Sequence, residues 1–331
     1  MRFMIAGGAG FVGSHLSRSL LGDGHAVVVV DDLSTGSRAN IADLLDEPHF
    51  EFVHGDVADA PFRNVDVVAH LASPASPVDY DRIPVHTMRA NSLGTFRLID
   101  VAGRSGAAFL YVSTSEVYGD PLVHPQPEEY WGNVDPVGPR SCYDESKRFG
   151  EALVVAARRE GGLRANIVRP FNTYGPSMRR DDGRVIPEMI SAALDRRPLM
   201  IHGDGLQTRS FCYVSDLVAG LRCVLLDDAA DGLIMNIGNP REITMLELAK
   251  RIVHVSAGDG ELRHLEARPG DPERRRPVIK RMQARYGWVP RIQLTDGLRQ
   301  TVAAFRASKP TPSNHVPRLD DGLPADAVGA A

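Results

Sequence analysis

The pair of residues in this chain best suited to moving a proton is Tyr143 and Lys147, one helical turn apart in Y-D-E-S-K. Side chains three or four residues apart share a face of a helix. A phenol has an unperturbed pKa of about 10, and a neighbouring ammonium favours its phenolate, so this tyrosine could exchange a proton with a substrate hydroxyl near neutral pH. Y-x-x-x-K alone is common and reads as an ordinary exposed helix. Upstream, S-T-S-E-V-Y-G at residues 113–119 adds the hydroxyls of Ser113, Thr114 and Ser115 and the carboxylate of Glu116. Taken alone, that segment reads equally as a strand-end turn.

The weight shifts with the elements that must position these groups. Residues 3–6 form a strand-like run, followed by G-G-A-G-F-V-G at residues 7–13 and a helical pattern over 14–21. Gly7, Gly10 and Gly13 suit a tight turn, close approach of backbone to a pyrophosphate and close packing of helix on strand, with Phe11 and Val12 opening the helix whose N-terminus faces the anion. A second strand at 26–30 ends at Asp31, about 20 residues beyond the turn, where a carboxylate binds ribose hydroxyls. It would repel a 2′-phosphate, so the expected cofactor is NAD. Asp32, Ser34, Thr35 and Gly36 read equally as a ribose lining and as a helix-capping turn.

A third strand at 50–54 leads to Asp56 and Val57, expected near adenine. A fourth at 65–71 ends at Leu71, with Ala72 and Ser73 passing beneath the cofactor. A helix over 83–103 carries Arg89 and Asn91, and a fifth strand at 108–112 delivers the Ser113 segment. Strands alternating with helices predict an α/β fold, a Rossmann-type doubly wound parallel sheet, with ligands outside the carboxyl ends of its strands.

The stretch 121–140 is a long Pro-rich loop whose Tyr130 and Trp131 are expected to pack it down. A helix over 143–160 and a strand at 165–169 lead to R-P-F-N-T-Y-G-P, where the pattern changes. Shorter elements follow near 185–194, 199–202, 232–240, 244–256, 279–286 and 295–307, a smaller C-terminal substrate-binding lobe interwoven with the first. The expected division is 1–170 mainly for the cofactor domain, 171–307 mainly for the lobe, and a disordered tail at 308–331 without periodicity.

The chain's 331 residues are 43% hydrophobic, ample for a core, and its formal net charge of -4 gives no reason to expect nucleic acid or an anionic membrane as partner. Cys142, Cys212 and Cys223 lack C-x-x-C spacing, which points to reduced thiols and away from a disulfide framework or a metal site. From Met1 the chain runs straight into a strand-like segment, so no export is expected, and no apolar run approaches the roughly 20 residues of a membrane helix. A cytoplasmic protein is expected.

With glycine turn, S-T-S-E-V-Y-G, Y-x-x-x-K and R-P-F-N-T-Y-G-P in order, the chain resembles the extended short-chain dehydrogenase/reductase family over residues 2–307. Within it the likeness is closest to the UDP-glucuronate decarboxylases, through H-L-A-S-P-A-S-P at 70–77, E-Y-W-G at 129–132, G-P-R-S-C-Y-D-E-S-K-R at 138–148, G-D-G-L-Q-T-R-S-F at 203–211 and E-R-R-R-P at 273–277.

The resemblance implies Tyr143 and Lys147 as the acid/base pair, Thr114 as partner to the reacting hydroxyl, Glu116 as the acid near the sugar and Arg275 as the active-site arginine. It implies Asn172 and Arg209 at the nucleotide diphosphate, and Arg89 near the sugar carboxylate, where relatives often have Lys. The implied reaction oxidises UDP-glucuronate at C4 with NAD, releases CO2 from the β-keto acid and re-reduces the ketone to give UDP-xylose. Ser115 is decisive here: nucleotide-sugar 4,6-dehydratases have an Asp at its place, and that acid would repel a substrate carboxylate. The alternatives are a UDP-sugar 4-epimerase, a 4,6-dehydratase and an NAD-binding sensor without catalysis. A homodimer through the helices after Ile83 and Tyr143 is also implied.

Overall fold

Alternation along the first strand sets the layering. In β1 (Arg2–Ala6) Phe3 and Ile5 join one core cluster with Leu16 and Leu20 of α1 (Phe11–Gly22), while Met4 and Ala6 join another with Leu98 and Val101 of α4 (Leu93–Ser105). Residues of alternate parity face opposite sides of a sheet, so apolar residues at every position from Phe3 to Ala6 require helices on both faces. The computed structural model, which describes residues 1–228, 232–258, 260–266 and 274–307, has that arrangement. The tail at 308–331 lies outside the described residues.

The remaining strands of the first half are β2 (Ala26–Asp31), β3 (Phe50–His54), β4 (Val67–His70), β5 (Ala108–Val112) and β6 (Ala165–Pro170). Between β4 and β5 run α2 (Pro77–Arg82), α3 (Pro84–Asn91) and α4, and α5 (Ser141–Gly161) precedes β6. The single helix expected over 83–103 is broken at Ser92. The hydroxyls of Thr87, Ser92 and Thr95 bond back to the carbonyls of Ile83, Met88 and Asn91, a competition with the helical ladder that favours a bend.

The second half holds β7 (Thr173–Tyr174), α6 (Val185–Leu194), β8 (Leu199–His202), β9 (Thr208–Ser210), β10 (Cys212–Tyr213) and α7 (Val214–Leu225). It continues with β11 (Ile234–Ile237), β12 (Glu242–Thr244), α8 (Met245–Val255), β13 (Leu262–Leu265), β14 (Arg274–Arg275), α9 (Lys280–Tyr286) and α10 (Leu294–Ala307). The large sheet runs β3-β2-β1-β4-β5-β6-β11, parallel throughout, with Ile234 opposite Ile167 and Ile237 opposite Pro170. The seventh strand of the cofactor sheet thus comes from the stretch assigned to the lobe. α7 follows it across: Leu217 and Leu221 share the cluster of Leu16 and Leu20 on α1. Among the described residues no helix is long and apolar enough to cross a membrane.

Candidate active site and cofactor cleft

The glycine turn after β1 is a cradle that any side chain would fill. Gly7 has φ +82°, and a Cβ there would meet the Ala72 backbone nitrogen at 2.6 Å; at Gly13 it would meet the Gly7 carbonyl oxygen at 2.1 Å. One cleft is lined by Gly7, Gly10, Phe11, Val12 and Gly13 on one wall, Asp31, Asp32, Ser34, Thr35 and Gly36 on the next, and Val57, Leu71, Ala72 and Ser73 on a third. The equal readings of the D-D-L-S-T-G segment separate here: Ser37, not Ser34, caps the following 3-10 helix by accepting the Ala39 N–H at 3.2 Å. Asp31 is buried, and burial raises its pKa, opposed by N–H groups of Leu33 and Ala9 that its two oxygens accept at 2.9 Å each.

A bare backbone turn beside a carboxylate at the end of β2 fits a dinucleotide with a free 2′-hydroxyl. Gly13→Ala should therefore yield protein depleted of NAD. Overpacking of this kind costs about 1–3 kcal/mol, roughly tenfold or more in affinity, measurable as NAD released on denaturation or by titration calorimetry.

Two expected contacts are not brought to the cleft. Asp56 does not line it; its Oδ1 accepts the Ala58 N–H at 2.8 Å to cap a 3-10 turn, and its Oδ2 takes Arg89 Nε at 3.0 Å. Arg89 also reaches Asp59 at 3.2 Å. Arg89 is absent from the cleft lining, and two acids satisfy its guanidinium at the surface.

The proton-transfer pair is not itself in the cleft lining but is joined to it through Asn91. Tyr143 and Lys147 are 5% and 2% exposed, so the pair is not on an open helix face. Tyr143 stacks on Tyr80 of α2 with ring centroids 5.3 Å apart and planes 8° apart. Lys147 Nζ donates to the Val112 carbonyl at 2.9 Å, fastening α5 to the end of β5, and stands 6.0 Å from the centroid of the Tyr143 ring. Asn91 on α3 ties the assembly to the cleft, donating to Ser73 Oγ at 2.9 Å and Ser146 Oγ at 3.0 Å.

The electrostatics correct one expectation. Burial pushes the Tyr143 phenol above its usual value, against a hydrogen bond with Thr114 that lowers it. Burial also pushes Lys147 down to about 7, with Glu151 opposing. Burial is the largest influence on both groups and raises the phenol, where the Tyr–Lys spacing alone predicts that the ammonium lowers it.

Thr114 does double duty at the end of β5, since its Oγ1 also accepts the Glu116 N–H at 3.1 Å and shapes the turn that carries Ser115 and Glu116. Ser115 is buried. Glu116 is gripped by Arg275, and Arg140 Nη1 reaches its other oxygen at 3.4 Å. Burial raises the Glu116 carboxyl, but Arg275, Arg140 and Arg209 together bring it below the ordinary range. β14 pairs with β9 in parallel register, setting Arg275 opposite Arg209, and the Gln126 backbone and side chain hold Arg276 at 2.9 and 2.8 Å. The long loop thus anchors the strand that aims Arg275. Its Tyr130 stacks on Tyr118 as expected, but Trp131 is 88% exposed and packs nothing down. Asn172 binds the neighbouring strand through its carbonyl, which accepts the Cys212 N–H at 2.8 Å.

Several residues at the site carried no clear signal in the chain. Ser177, Met178, Arg179, Asp182 and Arg184 line the cleft from a loop that folds back after β7. Arg179 pairs with both oxygens of Asp79 at 2.9 Å, and Ser76 Oγ bonds the Asp182 carbonyl. The run R-R-D-D-G-R was visible, but nothing in its spacing says which wall it meets. A separate cavity of about 770 Å³ between the C-terminal ends of α6, α8 and α10 contains none of the proton-transfer residues.

Residues 3–238 match the model of the family described as NAD dependent epimerase/dehydratase. The chain belongs to that family. It is 46% identical over 306 residues to UDP-glucuronic acid decarboxylase 1 of Arabidopsis thaliana, covering 92% of this chain and 70% of that protein. Among solved structures, a UDP-glucuronic acid 4-epimerase from Bacillus cereus in complex with UDP-glucuronic acid and NAD superposes with a TM-score of 0.84 at 27% identity, covering 93% of this chain and 99% of its own. A dTDP-glucose 4,6-dehydratase from Streptomyces venezuelae with NAD bound gives 0.84 at 30% identity, covering 93% and 97%. The family fold and its NAD dependence agree with the doubly wound sheet and the glycine cradle of this member.

Proposed function

We propose that this family member converts UDP-glucuronate to UDP-xylose and CO2. The observation that carries the reading is the 46% identity to a decarboxylase across 92% of the chain. The site's chemistry agrees with it. Ser115 stands where a dehydratase acid would be, and two like charges about 4 Å apart would repel by roughly 4 kcal/mol at an effective dielectric near 20.

The glycine cradle, Asp31 and the segment Leu71, Ala72 and Ser73 would hold NAD, with Tyr143 and Lys147 at its reacting end. NAD when bound supplies a positive charge, which favours the Tyr143 phenolate, and accepts and later returns hydride at C4. Tyr143 takes the 4-hydroxyl proton. As CO2 leaves C5, its bonding electrons flow into the C4 carbonyl, where Tyr143 and Thr114 stabilise the oxyanion at about 3 kcal/mol per donor. Arg275 holds the sugar, and Arg209 and Asn172 hold the diphosphate. Arg140, whose Nη1 reaches Glu116, adds a second cation on that side of the site.

Incubation with UDP-glucuronate should give one CO2 per nucleotide-pentose with no net change in NAD. A product of unchanged mass would make the protein a 4-epimerase instead. NAD binding without turnover on a panel of nucleotide sugars would make it a sensor.

We further propose a homodimer. Met88, Leu93, Phe96 and Phe149 are 47%, 51%, 51% and 44% exposed on α3, α4 and α5, and the rings of Phe96 and Phe149 lie 6.2 Å apart. Apolar clusters of this kind mark interaction surfaces. Light scattering after gel filtration should give twice the chain mass, and Phe96→Asp with Phe149→Asp should give the monomer. The three free cysteines fit a reducing, cytoplasmic setting.

A further inference from the structure

Decarboxylation has a proton requirement that Tyr143 cannot meet. A carboxylate that leaves as CO2 is replaced by hydrogen, so each turnover consumes one proton, whereas the proton Tyr143 takes from the 4-hydroxyl returns to the same oxygen. C5 needs another source. Glu116 is poorly suited to hold that proton at rest, because Arg275 and Arg140 bind its two oxygens and keep it ionised.

Asp144 is the neighbouring carboxyl with the opposite properties. It is 6% exposed, one residue beyond Tyr143 on α5, and its Oδ1 is buried with no hydrogen-bond partner among the described residues. The charged and titratable groups around it are Glu116 after β5, Arg275 on β14, Arg140 and Glu145 at the start of α5, Tyr80 on α2 and the adjacent Cys142. Burial and the Glu116 charge raise its pKa to about 8, against Arg275 and Arg140. A carboxylate used only to hold structure would be expected to bond through both oxygens, since a buried acceptor left bare costs about 1–3 kcal/mol. A neutral acid beside an ionised one is the stable division of charge in such a pair.

We propose that Asp144 stores the proton that ends on C5 and delivers it by way of Glu116. The inference rests on the decarboxylase reading. The C5–carboxylate bond breaks, its pair moves into the C4 carbonyl to form an enolate, and CO2 departs. Asp144 passes its proton to the ionised Glu116, which hands it on as the pair returns to form the C5–H bond and is left ionised again; Asp144 recovers its proton from water after product leaves. Asp144 is a positioning residue for the proton, not a group in contact with the sugar.

The test is single turnover of the NAD-loaded enzyme with UDP-glucuronate, following CO2 and nucleotide-pentose separately. Asp144→Asn should keep a CO2 burst of about one per site while pentose formation falls about 100-fold, the scale of general acid catalysis. Asp144→Glu, which retains an acid, should bring the two products back into step. In the native enzyme pentose formation should fall as pH rises through about 8 while the CO2 burst persists, because the protonated form is the active one. This arm needs no variant to fold. Equal slowing of both products in Asp144→Asn, an unchanged pentose rate, or products that stay in step in the native enzyme at high pH would overturn the inference. A native enzyme that releases no CO2 would instead refute the decarboxylase reading.

Discussion

Tyr143→Phe is expected to lower CO2 release from UDP-glucuronate by about 10²- to 10⁴-fold, the range for loss of a positioned acid/base. Fold and NAD content should be unchanged. The prediction is sharp because the rest of the side chain has its own work. The ring stacks on Tyr80 at 5.3 Å, and phenylalanine preserves that contact and the packing beneath it. Only the hydroxyl and its hydrogen bond with Thr114 are lost. KM for UDP-glucuronate should move little, since an interaction made mainly in the transition state appears in kcat. Steady-state kinetics with CO2 trapping decides it: near-native turnover would remove Tyr143 from the acid/base role.

Arg169→Met should cost about 3–5 kcal/mol of stability, the penalty for leaving one member of a buried ion pair alone. Arg169 on β6 binds both oxygens of Glu151 on α5, at 2.8 and 2.6 Å, and also Tyr118 Oη at 2.9 Å. Ser113 Oγ adds a bond to the same carboxylate at 2.6 Å. Without the guanidinium, Glu151 keeps a buried charge or takes up a proton. At roughly 2–4 °C per kcal/mol for a chain of this size or somewhat smaller, the melting temperature should fall by on the order of 10 °C. Glu151→Leu in the same protein should recover part of the loss, because a buried pair replaced by apolar groups is often near neutral. No recovery would show that Arg169 acts mainly through Tyr118 and the Glu128 carbonyl.

Much of the frame was legible because it depends on local rules. The glycines at 7, 10 and 13, the apolar strands and the carboxylate at 31 announce a cradle that backbone geometry alone demands. Tyr143 and Lys147 were legible as a pair, but not their charge state, because burial is a property of the surrounding layers. The partners of Arg89 were hidden for a related reason: a helix position does not reveal that Asp56 and Asp59, far back in the chain, will bind its guanidinium. The same limit hid Arg140 and Asp144, whose significance lies in their shared environment with Glu116 and Arg275. Strand β11 was read as part of the lobe because pairing with β6 across α6 and α7 leaves no mark on its four residues.

That late strand has a consequence for how the protein must be made. A parallel sheet cannot be finished until its last strand exists, and here Ile234–Ile237 closes the edge left by Ala165–Pro170. While the ribosome is still short of that point, the backbone groups on the outer side of β6 have no native strand to bond, and such an edge invites pairing with other chains. The first 170 residues, though they contain the whole glycine cradle and the Tyr143–Lys147 pair, should therefore be prone to associate through that edge if expressed alone. Any truncation intended to isolate cofactor binding must run past Ile237.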